Sequence, residues 1–150
     1  MRGNIKDVPD LLDEVINRNV ITISPSSPVS EAAYIMMNED IGALVIVSDN
    51  DTRPVGIITD RDLVISVMAE RRNPDEVTVE EVMTKNPVII DENTDIFEML
   101  RKLSEHSIRR LPVTKRGKLA GIVSVDDLIV VVATELVNVA IAMSSKSKIL

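Results

Sequence analysis

The nine residues VGIITDRDL, Val55–Leu63, return almost unchanged as AGIVSVDDL at Ala120–Leu128. Each copy runs from a glycine through small and apolar residues to a hydroxyl, Thr59 or Ser124. An acid follows three positions on, Asp62 or Asp127. The apolar part has the length and composition of a strand, and the polar part reads as the start of a helix. Two strand-to-helix junctions of one design imply two copies of one folding unit.

The repeat extends in both directions from these stretches. At an offset of 67, VINRNVITI from Val15 faces VMTKNPVII from Val82, Glu31 faces Glu98, Ile41 faces Ile108 and Leu44 faces Leu111. After the turn the offset is 65, because SDNDTRP is two residues longer than TKRGK. Gly56 then faces Gly121, Asp62 faces Asp127 and Leu63 faces Leu128. Each copy predicts the same elements. A short helix (Asp10–Ile16, Asp75–Met83) leads to a strand, VITI or PVII. An amphipathic helix follows (Val29–Asn38, Ile96–Glu105), the second with Ile96, Met99, Leu100 and Leu103 on one stripe. The strands ALVIV and PVGIIT, or RLPVT and LAGIVS, precede a closing helix (Asp60–Ala69, Val125–Met143). The fold class is therefore α/β (α+β in some schemes): two pseudo-symmetric α-β-α-β-β-α units packed through their sheets. The boundaries are 8–70 for the first repeat, 71–76 for the linker and 77–135 for the second repeat. A helix end and a frayed tail occupy 136–150.

Composition narrows the function. Of 150 residues, 45% are apolar, enough for a core, but only 1% are aromatic, so stacking platforms for single-stranded nucleic acid are missing. A net charge of −7 argues against a phosphate-backbone partner. The absence of cysteine removes disulfides and thiol chemistry and suits a reducing compartment. MRGNIKDVPDLLDE has no apolar signal core, so a cytoplasmic location is expected. The apolar run Leu128–Met143 is shorter than the roughly 20 residues a span needs and holds Glu135 and Asn138. Its helical stripe, Leu128, Val132, Leu136, Val139 and Met143, reads as the buried face of a soluble protein's helix; no membrane is expected.

The junctions admit two readings that do not exclude each other. A hydroxyl followed three residues later by an acid at a helix start is a capping box. The same place offers free N–H groups and a positive dipole end to a phosphate, and a carboxylate one turn on can accept both hydroxyls of a ribose. Ligand crevices of α/β sheets lie at such strand ends.

The residues GIITDRDL and GIVSVDDL, with VMTKNPVII and HSIRRLPV, resemble the CBS (cystathionine β-synthase) domain, which occurs in tandem pairs called Bateman modules. The resemblance covers about Val8 to Thr134. It implies a non-catalytic regulatory module that senses energy state by holding AMP, ADP or ATP, or S-adenosylmethionine, in a cleft between the repeats. AMP is the favoured ligand, and the module often dimerises. In the family each site is built crosswise. Carried over, Ile57 walls the base, Asp62 takes the ribose and Thr59 with arginines takes the phosphate, beside Thr84, Val88, Ile108, Arg109 and Arg110. The mirror site uses Ile122, Ser124 and Asp127 with Ile21, Ile41, Gly42 and Ala43.

The copies differ in charge. The second reads SIRRL where the first reads DIGAL, and guanidinium groups suit phosphate. One good nucleotide site is expected, at Asp62, and a weaker one at Asp127. The alternative for Arg109 and Arg110 is a solvated strand end, and for Arg61 a side chain in water. His106, the sole histidine, reads as a surface residue at a helix end. The acid pairs Asp60/Asp62 and Asp126/Asp127 suit helix dipoles, and no metal site or catalytic residue emerges, although magnesium can accompany a polyphosphate ligand. With both repeats assigned, the output is an unidentified effector protein or the homodimer itself. The competing function is a ligand-independent scaffold that dimerises through the closing helices.

Overall fold

The computed structural model describes residues 13–147. The start of the first predicted helix lies outside that range, and residues 13–15 are helical. The described elements are β1 (Thr22–Ile23), α1 (Val29–Glu39), β2 (Ala43–Val47), β3 (Pro54–Thr59) and α2 (Asp60–Leu63). They continue with α3 (Val79–Val82), β4 (Thr84–Lys85), β5 (Ile90–Asp91), α4 (Ile96–Glu105), β6 (Arg110–Lys115), β7 (Lys118–Ser124) and α5 (Val125–Ser147). One sheet has the order β1-β2-β3-β4, the other β5-β6-β7.

The repeat is visible in the register. Ile23 pairs with Ile46 in the parallel β1–β2 ladder, and its counterpart Ile90 pairs with Val113 in β5–β6. The helix α1 buries Val29, Ala32 and Met36, and α4 buries the equivalent Ile96, Met99 and Leu103. The 3-4 spacing puts these residues on one stripe. Opposite them in sequence, Leu44 and Ile58 are matched by Leu111 and Val123, all 1% exposed or less. Each such side chain contributes about 1.5–3 kcal/mol on burial. Both helices stop the same way: Asp40 and Ser107 adopt φ of 53° and 52°, and the next N–H, of Ile41 or Ile108, returns to the carbonyl of Met36 or Leu103. At the start of α4, Asp95 accepts from the N–H groups of Phe97 and Glu98. Arg116 and Gly117, both with positive φ, form the two-residue turn between β6 and β7.

Two exchanges cross the repeats. β4, from the second copy, pairs with β3 of the first, Ile57 opposite Thr84. Reciprocally, Asn17 bridges Ile122 of β7, each N–H donating to the other's carbonyl at 2.9 Å. The chain accordingly forms two compact units. The Asp62 unit comprises Arg18–Glu92 with Pro112–Gly121. The Asp127 unit comprises Asn93–Leu111 with the described parts of Met1–Asn17 and Ile122–Leu150.

Several expectations need correcting. VITI forms strand only at Thr22–Ile23, and PVII contributes only Ile90, whose strand continues to Asp91. The helix expected at Asp75–Met83 is confined to Val79–Val82, because Glu81 accepts from both the N–H and the hydroxyl of Thr78 and fixes the chain entry there. The closing helix of the first repeat passes from α2 into a π-helical turn, Val64–Met68, with Ala69 N–H bonding to Val64. The tail does not fray at Ser144: α5 continues to Ser147. Nor is its stripe buried along its length. Leu128 is fully buried and Val132 partly so, but Leu136, Val139 and Met143 are 66%, 54% and 67% exposed, because no described part of the chain covers them. Val125–Ser145 is long and apolar enough to cross a bilayer by composition alone, with only 6% of the window buried.

Candidate functional site

In the Asp62 unit the strand β3 delivers Thr59 to the N-cap of α2. The N–H of Thr59 donates to Asp62 Oδ2 at 2.8 Å, and the N–H of Asp62 donates to Thr59 Oγ1 at 3.3 Å, a reciprocal capping box. The box leaves two groups facing outward in chemical terms: the hydroxyl proton of Thr59 and Asp62 Oδ1, neither bonded among the described residues. A donor and a carboxylate acceptor are thus fixed one helical turn apart. The adjacent pair Ile57–Thr84 brings two further predicted residues to the same end of the sheet, with Ile57 half-buried and Thr84 exposed. Val88, half-buried, lies beyond β4 in the same unit. Gly56 is required here by close approach: a Cβ on it would stand 2.4 Å from Met83 Sδ and 3.1 Å from the Thr84 carbonyl oxygen.

The Asp127 unit carries the counterpart with one chemical difference. The N–H of Asp127 donates to Ser124 Oγ at 3.2 Å, but the Ser124 hydroxyl donates to Asp127 Oδ2 at 2.9 Å. Its proton is therefore committed within the junction. Asp127 also lines a cleft of about 270 Å³ with residues 14–17, Val130 and Val131. This volume is slightly below the usual range for small-molecule pockets. Asn17 stands in this cleft opposite Ile122 and was missed as a site candidate, although the offset of 67 carries it onto Thr84.

The charge contrast between the copies also has a structural form. At the second-repeat junction the Val125 N–H bonds to the Arg109 carbonyl at 2.8 Å; at the first, the Asp60 N–H bonds to the Gly42 carbonyl at 3.0 Å. Arg109 is not free: its guanidinium pairs with Asp126 at 2.9 Å, both side chains about 70% exposed. Where a side chain would leave Gly42, Asp60 Oδ2 stands 3.2 Å from the Cβ position. The first repeat therefore presents a carboxylate at the place where the second presents a cation. Arg110 begins β6 and is exposed, as are Arg61 in α2 and His106 at the C-cap of α4. Ile21 and Ile41 pack half-buried against the core of the Asp62 unit, and Ala43 opens β2 opposite Thr59. Ile108, Arg109 and Arg110 belong to the Asp127 unit; Ile21, Ile41, Gly42 and Ala43 belong to the Asp62 unit. Among the described residues no three His, Cys, Asp or Glu side chains are grouped to hold a metal ion.

A mixed α/β chain written twice, with a hydroxyl–acid box where each copy's strand enters its closing helix, defines a tandem pair of homologous units. The chain belongs to the CBS domain family, whose pattern matches residues 12–69 and 79–134. It is 42% identical over 117 residues to a protein of Methanopyrus kandleri, a match covering 77% of this chain and 59% of that one. It is 36% identical over 115 residues to hypoxic response protein 1 of Mycobacterium tuberculosis, covering 77% of this chain and 80% of that one. The crystal structure of Hypoxic Response Protein I with two coordinated zinc ions matches with a TM-score of 0.71 at 35% identity, over 81% of this chain and 95% of that one. CBSX2, solved in complex with AMP, shares the fold with a TM-score of 0.68 at 24% identity, over 82% of this chain and 96% of that one. CBS pairs are typically regulatory rather than catalytic modules, and this chain is such a pair.

Proposed function

We propose that the chain is an adenine-nucleotide sensor without catalytic activity, with AMP as the favoured ligand and Asp62 as the centre of its stronger site. The observation that carries this reading is the Thr59–Asp62 box. It is satisfied internally yet leaves a hydroxyl proton for a phosphate oxygen and Oδ1 for the ribose hydroxyls. Ile57 walls the base beside Thr84 and Val88, and Ile108, Arg109, Arg110 and Arg61 supply the remaining wall and positive charge. Phosphate binding by Arg109 requires release from Asp126, a pair whose exposure makes it inexpensive to open. The site of Ile122, Ser124 and Asp127, with Ile21, Ile41, Gly42 and Ala43, is the weaker one. Its hydroxyl is committed to Asp127, and Asp60 stands at Gly42. That CBSX2 was solved with AMP agrees with this ligand class; at 24% identity the likeness itself is one of fold. We infer further that the repeats are 8–70 and 77–135, and that the protein is cytoplasmic. It forms a homodimer through the closing helices of both repeats, Asp60–Ala69 and Val125–Met143, where Val64, Ile65, Ile129 and Val130 are about half exposed or more.

Calorimetric titration with AMP, ATP and S-adenosylmethionine tests the reading. Saturable AMP binding at one site per chain is expected, weakened at least tenfold in Asp62→Asn and retained in Asp127→Asn. A folded, ligand-free protein that binds none of the three leaves the boxes as helix caps of a dimer scaffold.

A further inference from the structure

The cleft beside Asp127 has a chemistry that the nucleotide reading does not use. It holds about 270 Å³, and its polar lining is Glu14, Asn17 and Asp127. Among the described residues that line it none is basic. Val15, Ile16 and Val131 supply apolar wall, Ile16 being only 6% exposed. The Ser124 hydroxyl donates to Asp127 Oδ2, so the box offers a ligand acceptor oxygens and no hydroxyl proton. The repeat shows how this place departs from its counterpart. At the offset of 67, Glu14 corresponds to Glu81, whose carboxylate accepts from the N–H and the hydroxyl of Thr78. Leu11 stands in the sequence where Thr78 does, and a leucine side chain has no hydroxyl to give.

We propose that the Asp127 cleft binds a small aliphatic polyamine, its ammonium groups on the Glu14 and Asp127 carboxylates and its methylenes on the apolar wall. Asp127 is available to it because, on the reading above, the stronger nucleotide site lies at Asp62. Two carboxylates and an amide over valine and isoleucine complement a cation rich in N–H donors with a short hydrocarbon stem. A net charge of −7 draws such cations toward the surface. A phosphate is the poorer occupant, since it meets two carboxylates and no guanidinium or ammonium group. A quaternary ammonium is poorer too, because no aromatic ring lines the cleft to cage it. A divalent metal ion prefers six or more oxygen ligands, and no third acid joins the pair among the described residues.

The test is calorimetric titration of the full chain with spermidine, in about 0.15 M sodium chloride to screen diffuse attraction. Wild type, Glu14→Gln, Asp127→Asn and Asp62→Asn are compared, and each is also titrated with AMP. Glu14 is exposed, so Glu14→Gln keeps the helical circular dichroism of wild type. One spermidine per chain is expected to bind saturably. Glu14→Gln and Asp127→Asn each weaken it about tenfold or more, and Asp62→Asn leaves it unchanged. Butylamine, with a single ammonium group, binds more weakly. A wild type without saturable spermidine binding overturns the proposal. So does binding that Glu14→Gln and Asp127→Asn both leave intact, which is attraction to the acidic surface at large. Displacement of spermidine by magnesium chloride, but not by sodium chloride at equal ionic strength, overturns it in favour of a metal ion. AMP binding that depends on Asp62 in a chain indifferent to spermidine sinks the polyamine and keeps the nucleotide reading. Spermidine binding that depends on Glu14 in a chain indifferent to AMP does the reverse.

Discussion

Replacing Gly56 with alanine tests the packing that joins the fold to the site. The added methyl would fall 2.4 Å from Met83 Sδ, 3.0 Å from Met83 Cγ and 3.1 Å from the Thr84 carbonyl oxygen. The sulfur belongs to a flexible, half-buried side chain and can swing aside. The carbonyl cannot move without moving β4, which holds Thr84 opposite Ile57. Overpacking of this kind costs about 1–3 kcal/mol. For a chain of this length each kcal/mol lowers Tm by about 2–4 °C. Urea denaturation of Gly56→Ala, Met83→Ala and the double variant separates the two obstacles. If Met83 is the main one, the double variant is more stable than the sum of the singles by at least about 0.5 kcal/mol. If the carbonyl dominates, the singles add, and Gly56→Ala weakens AMP binding as β4 shifts. A Gly56→Ala protein that loses less than about 0.5 kcal/mol, with no coupling to Met83, refutes the close approach described for these strands.

Three further outcomes are expected. Asp95→Ala removes the acceptor of two α4 N–H groups and lowers unfolding free energy by about 1 kcal/mol in denaturant titration, whereas Arg109→Ala, which breaks an exposed ion pair, changes it by less than about 0.5 kcal/mol. Leu44→Ala, at a site 1% exposed, costs about 2–5 kcal/mol and is detected as a lower denaturation midpoint at unchanged slope. The third concerns acid. The backbone N–H of Thr78, then its hydroxyl, and more weakly Arg72, hold the Glu81 carboxyl below its ordinary value of 4.5. Its contribution is therefore present above that value and lost as pH falls through the lower folded-state value. Glu81→Gln accordingly shows a shallower stability loss as pH falls below about 4.5 in chemical denaturation.

Much of the fold was legible because it is written twice. The strands ALVIV and PVGIIT and the helix Ile96–Glu105 fall where their patterns place them, since apolar periodicity and caps agree there. Thr59 and Asp62 were legible as a box, because spacing of three at a helix start fixes the geometry whatever the tertiary setting. The short strands were overread: a two-residue ladder depends on which neighbour the edge finds, and β-branched residues alone do not reveal that. The π turn after Leu63 leaves no trace in composition. The α5 stripe was read as buried because periodicity identifies a face but not its partner. The pairing of Arg109 with Asp126 was not legible, because residues 17 apart in sequence are brought together there only by the fold. Asn17 was legible in principle, by carrying Thr84 back through the repeat.

The reciprocal pairings of Asn17 with Ile122 and of Ile57 with Thr84 also set an order of events during synthesis. Ile57 and Thr84 are close in sequence and can meet early. Asn17 emerges near the beginning and must wait for β7, almost the end of the second repeat, before its partner exists. A nascent chain halted at the linker therefore holds neither exchange, and its β3 edge is unpaired. Closing the Asn17–Ile122 bridge is the long-range step expected to be slow, since distant contacts carry the larger loop-closure cost. Until then, Asn17 of one molecule and Ile122 of another are equally suited to each other, so crowded synthesis favours chains that complete one another's sheets.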